Sequence, residues 1–134
     1  MARKRLPPND PREWLNRAPS NLARAQNPLA GANLEHYCFD AQQSAEKAIK
    51  AVFIAHGLTF PSLHDFGRLL GLFAQAGVCV PKYVSESHRL TRFAVEARYP
   101  GVSGPATKLE HRRAVRIASE VLRWATRQVR RKCP

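Results

Sequence analysis

Leu15, Ala18, Leu22, Ala25 and Leu29 recur at steps of three and four residues, which places them on one face of an α-helix. Asp10, Pro11 and Glu13 precede that stripe. Asp10 can cap the helix, Pro11 suits its first position, and Glu13 can reach back to close a capping box. Pro19 lies inside the stripe, where a missing donor predicts a kink or a split. The segment from Leu34 to His56 is the longest predicted helix. Cys38, Ala41, Ala45, Ala48, Ile49 and Val52 form one apolar stripe, and Gln42, Glu46, Lys50 and Phe53 form a second line at helical spacing. Glu46 and Lys50 are an i,i+4 pair in the favourable order. Gly57 is a natural stop, and the small alanines predict a closely packed neighbouring helix.

Ser62-Leu63-His64-Asp65 resembles a second capping box, followed by Leu63, Phe66, Leu69, Leu70 and Phe73 facing a core and by Gly77 as terminator. Gly67 and Gly71 each cost about 1 kcal/mol against alanine inside a helix. Two such costs at one spacing predict close approach of another helix or a ligand. A fourth helix is expected from near Pro81, with Leu90, Phe93, Ala94 and Ala97 buried and Pro100-Gly101 ending it. Thr107 to Glu110 is a third capping box. The final helix runs to about Arg131, with Ala114, Ala118, Val121, Leu122, Ala125 and Val129 inward. No run alternates between turn residues as a strand would. The pattern therefore predicts an all-α fold, a four- to five-helix up-and-down bundle over residues 10–131, preceded by a disordered basic arm over residues 1–9.

The length of 134 residues suits one domain with a core of its own. No apolar run approaches the ~20 residues that span a bilayer. The basic start, Met-Ala-Arg-Lys-Arg, is not followed by an apolar stretch, so no signal peptide is expected. Cys38, Cys79 and Cys133 are odd in number and lack CxxC spacing, which suits free thiols in a reducing cytoplasm.

Charge changes the picture more. The formal net charge is +12, which attracts phosphate-rich partners without specifying one. In the last helix, Arg112, Arg116, Arg123, Arg127 and Arg130 fall within roughly 60° of one another at helical pitch, opposite the apolar stripe. This ribbon is either a track for phosphates or a solvated charged face. None of the five histidines pairs with another ligand at metal-binding spacing, so neither a metal nor a cofactor is expected. No P-loop, GxGxxG or GxSxG occurs. His64 stands beside Asp65 at a helix start, where anions are favoured, although capping or packing is the better account of it.

The order of motifs resembles the HEPN family (higher eukaryote and prokaryote nucleotide-binding domains). Phe39 to Ala51, FDAQQSAEKAIKA, is similar to the family's second-helix signature, roughly A-x-Q-A-x-E-K-x-x-K. Trp14-Leu15 with Ala18 to Leu22 resembles its opening helix. His64-Asp65 with Leu69-Leu70 resembles its H-x-L-x-x-L-L segment, and Arg98-Tyr99-Pro100-Gly101 its R-Y-P ending. The resemblance spans about residues 12–126. It implies a helical bundle, and a homodimer or pairing with a minimal nucleotidyltransferase, as in a toxin–antitoxin-like module. It also carries over Glu46, Lys50, His64, Asp65, Arg98 and Tyr99 as nucleotide- or phosphate-binding candidates. Helix packing, for example Arg98 bridging to Glu46, is the competing role for these residues.

Ribonucleases of this family use an R-x(4–6)-H motif, and no arginine stands five to seven residues before any histidine here. No catalytic residue is therefore carried over. The leading expectation is a nucleotide- or RNA-binding module. The alternatives are a metal-independent ribonuclease with a non-standard site, or a purely structural dimerisation partner.

Overall fold

The computed structural model describes residues 4–62, 65–96, 99 and 104–132. Its elements are α1 (Pro11–Gln26), α2 (Leu34–Ala55), α3 (Phe66–Gln75), α4 (Lys82–Ser85), a 3-10 turn (Glu86–Leu90), α5 (Phe93–Glu96) and α6 (Lys108–Lys132). No strand occurs among the described residues, and the fold class is all-α as the periodicity predicts.

α2 is the central helix. Its alanines at 41, 45, 48 and 51 are fully buried, and their small side chains let α1 and α6 pack along it. Trp14 lies near Lys50, and Arg24 near Asp40, so α1 and α2 run antiparallel. The aromatic core continues outward from α2 as a chain of ring contacts. Phe53 meets Phe60 at 5.3 Å and Phe73 at 4.3 Å, and Phe73 meets Trp124 of α6 at 5.9 Å. Two helix ends share one device. Gly57 (φ 71°) and Gly77 (φ 78°) take the left-handed conformation after α2 and α3. Leu58 N–H then bonds Phe53 O, and Val78 N–H bonds Phe73 O, which satisfies carbonyls that a helix end leaves unpaired.

Several expectations are corrected by the packing. α1 is not split at Pro19 and stops at Gln26, leaving Leu29 73% exposed outside the helix. Burial of Ala18, Asn21 and Ala25 holds the helix where proline alone would break it, and Ser44 Oγ donates a buried 2.8 Å bond to Ala18 O beside it. Asp10 caps α1 as expected, accepting from Arg12 N–H at 2.9 Å. Glu13 does not close the box. Its carboxylate instead takes Leu6 N–H and the Arg17 guanidinium, while Trp14 Nε1 donates to Pro8 O. α3 begins at Phe66, with Asp65 as its cap. Leu63 and His64 of the expected second box lie outside the described residues.

The fourth helix is three short pieces rather than one. Val84, Ser87, Leu90 and Phe93 are buried at intervals of three, the period of a 3-10 helix rather than an α-helix. Ala97, expected in its core, lies outside the described residues. The box at α6 forms as read: Thr107 Oγ1 accepts from Glu110 N–H and Glu110 Oε1 from Thr107 N–H, both at 3.0 Å.

Candidate functional site

A cleft of about 360 Å³ opens between α1, α2 and the loop that follows α2. Its walls are Trp14, Gln43, Glu46, Lys47, Lys50 and Phe60. The antiparallel pairing of α1 and α2 brings Trp14 opposite Lys50, and the Gly57 turn folds Phe60 back over the same lysine. The Lys50 ammonium stands 4.1 Å from the Trp14 ring centre and 5.3 Å from that of Phe60. Both distances lie within cation–π reach. The expected ion pair of Lys50 with Glu46 does not form among the described residues, because the rings hold the ammonium instead. Glu46 Oε1 accepts from Gln42 Nε2 at 3.3 Å.

Behind the cleft lies a polar network between the two helices. Asp40 accepts from Asn21 and from the Arg24 guanidinium, the latter at 2.7 Å. Lys47 Nζ donates to Asn21 Oδ1 at 2.5 Å. Burial holds the Lys47 ammonium below its usual pKa, and the positive charges of Arg24 and Arg17 push it the same way. The site thus combines two flat aromatic faces, two ammonium groups and amide and carboxylate acceptors.

The other candidates separate in space or in role. Asp65 is the exposed cap of α3, with Oδ1 accepting from Arg68 N–H at 3.4 Å. Tyr99 is 61% exposed. His64 and Arg98 lie outside the described residues. Gly67 and Gly71 do not mark an approaching helix. A Cβ on Gly67 would meet only the Asp65 cap, at 3.3 Å, and one on Gly71 would meet nothing within 4 Å.

The arginine ribbon is exposed along its whole length, with Arg112, Arg116, Arg123, Arg127 and Arg130 all on the solvent side of α6. Two members are engaged. Arg116 lies 3.6 Å from Glu86 and 3.4 Å from Glu120, and Arg127 donates to Tyr83 Oη at 2.8 Å. Among the described residues, no group of three or more His, Cys, Asp or Glu could hold a metal ion, and no helix is long and apolar enough to cross a membrane.

Residue patterning missed the two aromatics that form the cleft as a pair. Trp14 enters the sequence pattern only through the opening-helix motif, and Phe60 does not enter it at all. Nothing in the spacing of residues 14, 50 and 60 shows that they meet, because the meeting depends on the α1–α2 crossing and the turn at Gly57.

Comparisons with known proteins agree with this architecture. A family model for the HEPN domain matches residues 11–129. The crystal structure of TT1696 from Thermus thermophilus superposes with a TM-score of 0.78 at 31% identity, covering 90% of this chain and 98% of that one. The structure of ST0689, an archaeal HEPN homologue, gives 0.71 at 24% identity with the same coverage. No curated protein matches the chain. With the signature helix at the centre of the bundle and the match running from the first turn of α1 to the last turns of α6, the chain belongs to the HEPN domain family.

Proposed function

We propose that the protein is a nucleotide-binding module whose ligand enters the α1–α2 cleft, and that it serves as the accessory, toxin-type subunit of a minimal nucleotidyltransferase. The observation that carries the binding reading is Lys50 held between Trp14 and Phe60. Each ring offers a π-face to a base, a contact worth about 1–3 kcal/mol in single-strand binders. Lys50 and Lys47 supply cations for a phosphate, and Gln43 and Glu46 supply polar groups for a base edge or a ribose hydroxyl. A volume of about 360 Å³ is in the range of small-ligand sites. HEPN domains commonly dimerise, and a homodimer is part of the proposal. Sedimentation should then give about twice the 15.1 kDa chain mass.

Titration with adenine and guanine mono- and triphosphates, followed by tryptophan fluorescence, tests the cleft. Trp14 is partly exposed and Trp124 buried, so loss of the signal in Trp14→Phe assigns it to the cleft. Lys50→Ala should weaken binding at least ~10-fold, in line with one charge-assisted bond. A protein that binds none of these nucleotides at millimolar concentration would overturn the reading.

A further inference from the structure

A second, smaller cleft lies on the other side of the molecule, between the 3-10 turn, α5 and the first turns of α6. Its volume is about 150 Å³. Its floor is apolar and closed: Leu90, Phe93, Ala114 and Ile117 are each at most 3% exposed. Its rim carries three guanidinium groups, Arg89, Arg92 and Arg113, and one carboxylate, Glu110. Arg92 is paired with that carboxylate and lies 4.5 Å from the Phe93 ring centre. Glu110 is further committed to the Thr107 box. The only acid at the rim is therefore already neutralised. Arg89 and Arg113 are exposed and have no acidic partner among the described residues.

We propose that this cleft binds a phosphoryl group, a diphosphate or the phosphate end of a nucleic-acid strand, between Arg89 and Arg113. Size selects the ligand. Pockets for drug-sized molecules run from about 300 Å³ upward, so this one takes a charged group rather than a whole nucleotide. The apolar floor keeps water from one side of the guanidinium groups, which strengthens charge-assisted bonds to an oxyanion. Arg112 precedes Arg113 on α6 and starts the exposed ribbon, so a strand whose phosphate sits in the cleft has further cations ahead of it. The Thr107–Glu110 box occupies the Thr107 amide and the Glu110 amide of the first turn of α6, and the proposal takes its donors from the arginines. The proposal does not depend on nucleotide binding in the α1–α2 cleft.

Titrating the full chain with inorganic pyrophosphate by calorimetry tests it, against Arg89→Gln/Arg113→Gln and against Arg131→Gln. Both arginines are exposed, so the double variant should keep the parent's circular dichroism and melting. The expected result is a loss of pyrophosphate affinity of 10-fold or more in the double variant and no change in Arg131→Gln, which removes one exposed charge outside both clefts. Paired oligonucleotides with a 5′-phosphate or a 5′-hydroxyl separate the two sources. A preference for the phosphorylated strand that disappears in the double variant assigns a strand end, and equal binding of the two assigns free diphosphate. Pyrophosphate that fails to bind the parent, binds the double variant as tightly, or is lost equally with Arg131→Gln overturns the proposal.

Discussion

His56 stands at the C-terminal cap of α2, and its Nε2 is buried without a hydrogen-bond partner among the described residues. Burial lowers its pKa below the ordinary 6.5, the positive charge of Lys132 lowers it further, and Gln128 opposes the shift. The unfolded chain therefore takes up this proton first as pH falls. The stability tied to a neutral His56 is whole above pH 6.5 and drains as pH falls toward the folded value. The carboxylates of Asp10 and Glu13 are shifted downward by Arg12 and Arg17 respectively, so their stabilising contributions are lost only below the ordinary carboxylate range. The melting temperature is expected to fall as the pH drops below about 6.5, and to fall less in His56→Gln. Parallel slopes in parent and variant would show that His56 is not the titrating group.

At the scale of elements, the informative helix is α3. Gly71 is exposed, helical, and has open space where a Cβ would stand. Gly71→Ala should then stabilise the chain by up to about 1 kcal/mol, the helix-propensity difference, read as a higher urea midpoint at unchanged slope. Destabilisation would mean that another surface covers Gly71 in solution. Gly67 differs because its neighbour is the capping carboxylate of Asp65, so alanine there crowds the cap. The same helix is tied at its start by Thr91, whose Oγ1 accepts from Phe66 N–H at 3.1 Å. That link joins α3 to the 3-10 turn region, and it explains how three short pieces hold position without the length of a stable helix.

At the scale of the whole molecule, the positive charge is distributed over one long face and two clefts. Arg112, Arg123 and Arg130 have no partner among the described residues, whereas Arg116 and Arg127 already contact Glu86 and Tyr83. The span from Arg112 to Arg130 is about 27 Å at the helical rise. If single-stranded RNA follows this face, each neutralised phosphate adds roughly −0.7 to the log–log salt slope. Replacing Arg112, Arg123 and Arg130 with glutamine should reduce the slope by about 2 and weaken all sequences alike. Folding should change by no more than about 0.5 kcal/mol. An unchanged slope would make the ribbon a solvated face.

The sequence by itself determined the helical class, the long helix that carries FDAQQSAEKAIKA and its close-packing alanines, the stops at Gly57 and Gly77, and the Thr107–Glu110 cap. These are set by contacts within a few residues or by the period of burial along one helix, and both are written locally. The solvent side of the α6 arginines was legible for the same reason. Only the tertiary structure decided that α1 survives Pro19, since the stabilisation comes from α2 and Ser44 rather than from α1. It likewise turned Glu13 toward Leu6 and Arg17, and Lys50 toward two rings instead of Glu46, because competing partners arrive from distant segments. The 3-10 turn was latent in the three-residue spacing of Val84, Ser87, Leu90 and Phe93. Its choice over an α-helix rests on which of those side chains the α2–α6 surface buries. Both clefts belong to the same class of feature. Trp14, Lys50 and Phe60, like Arg89, Arg92 and Arg113, meet only after the helices cross, and a crossing is a property of packed surfaces rather than of any one segment.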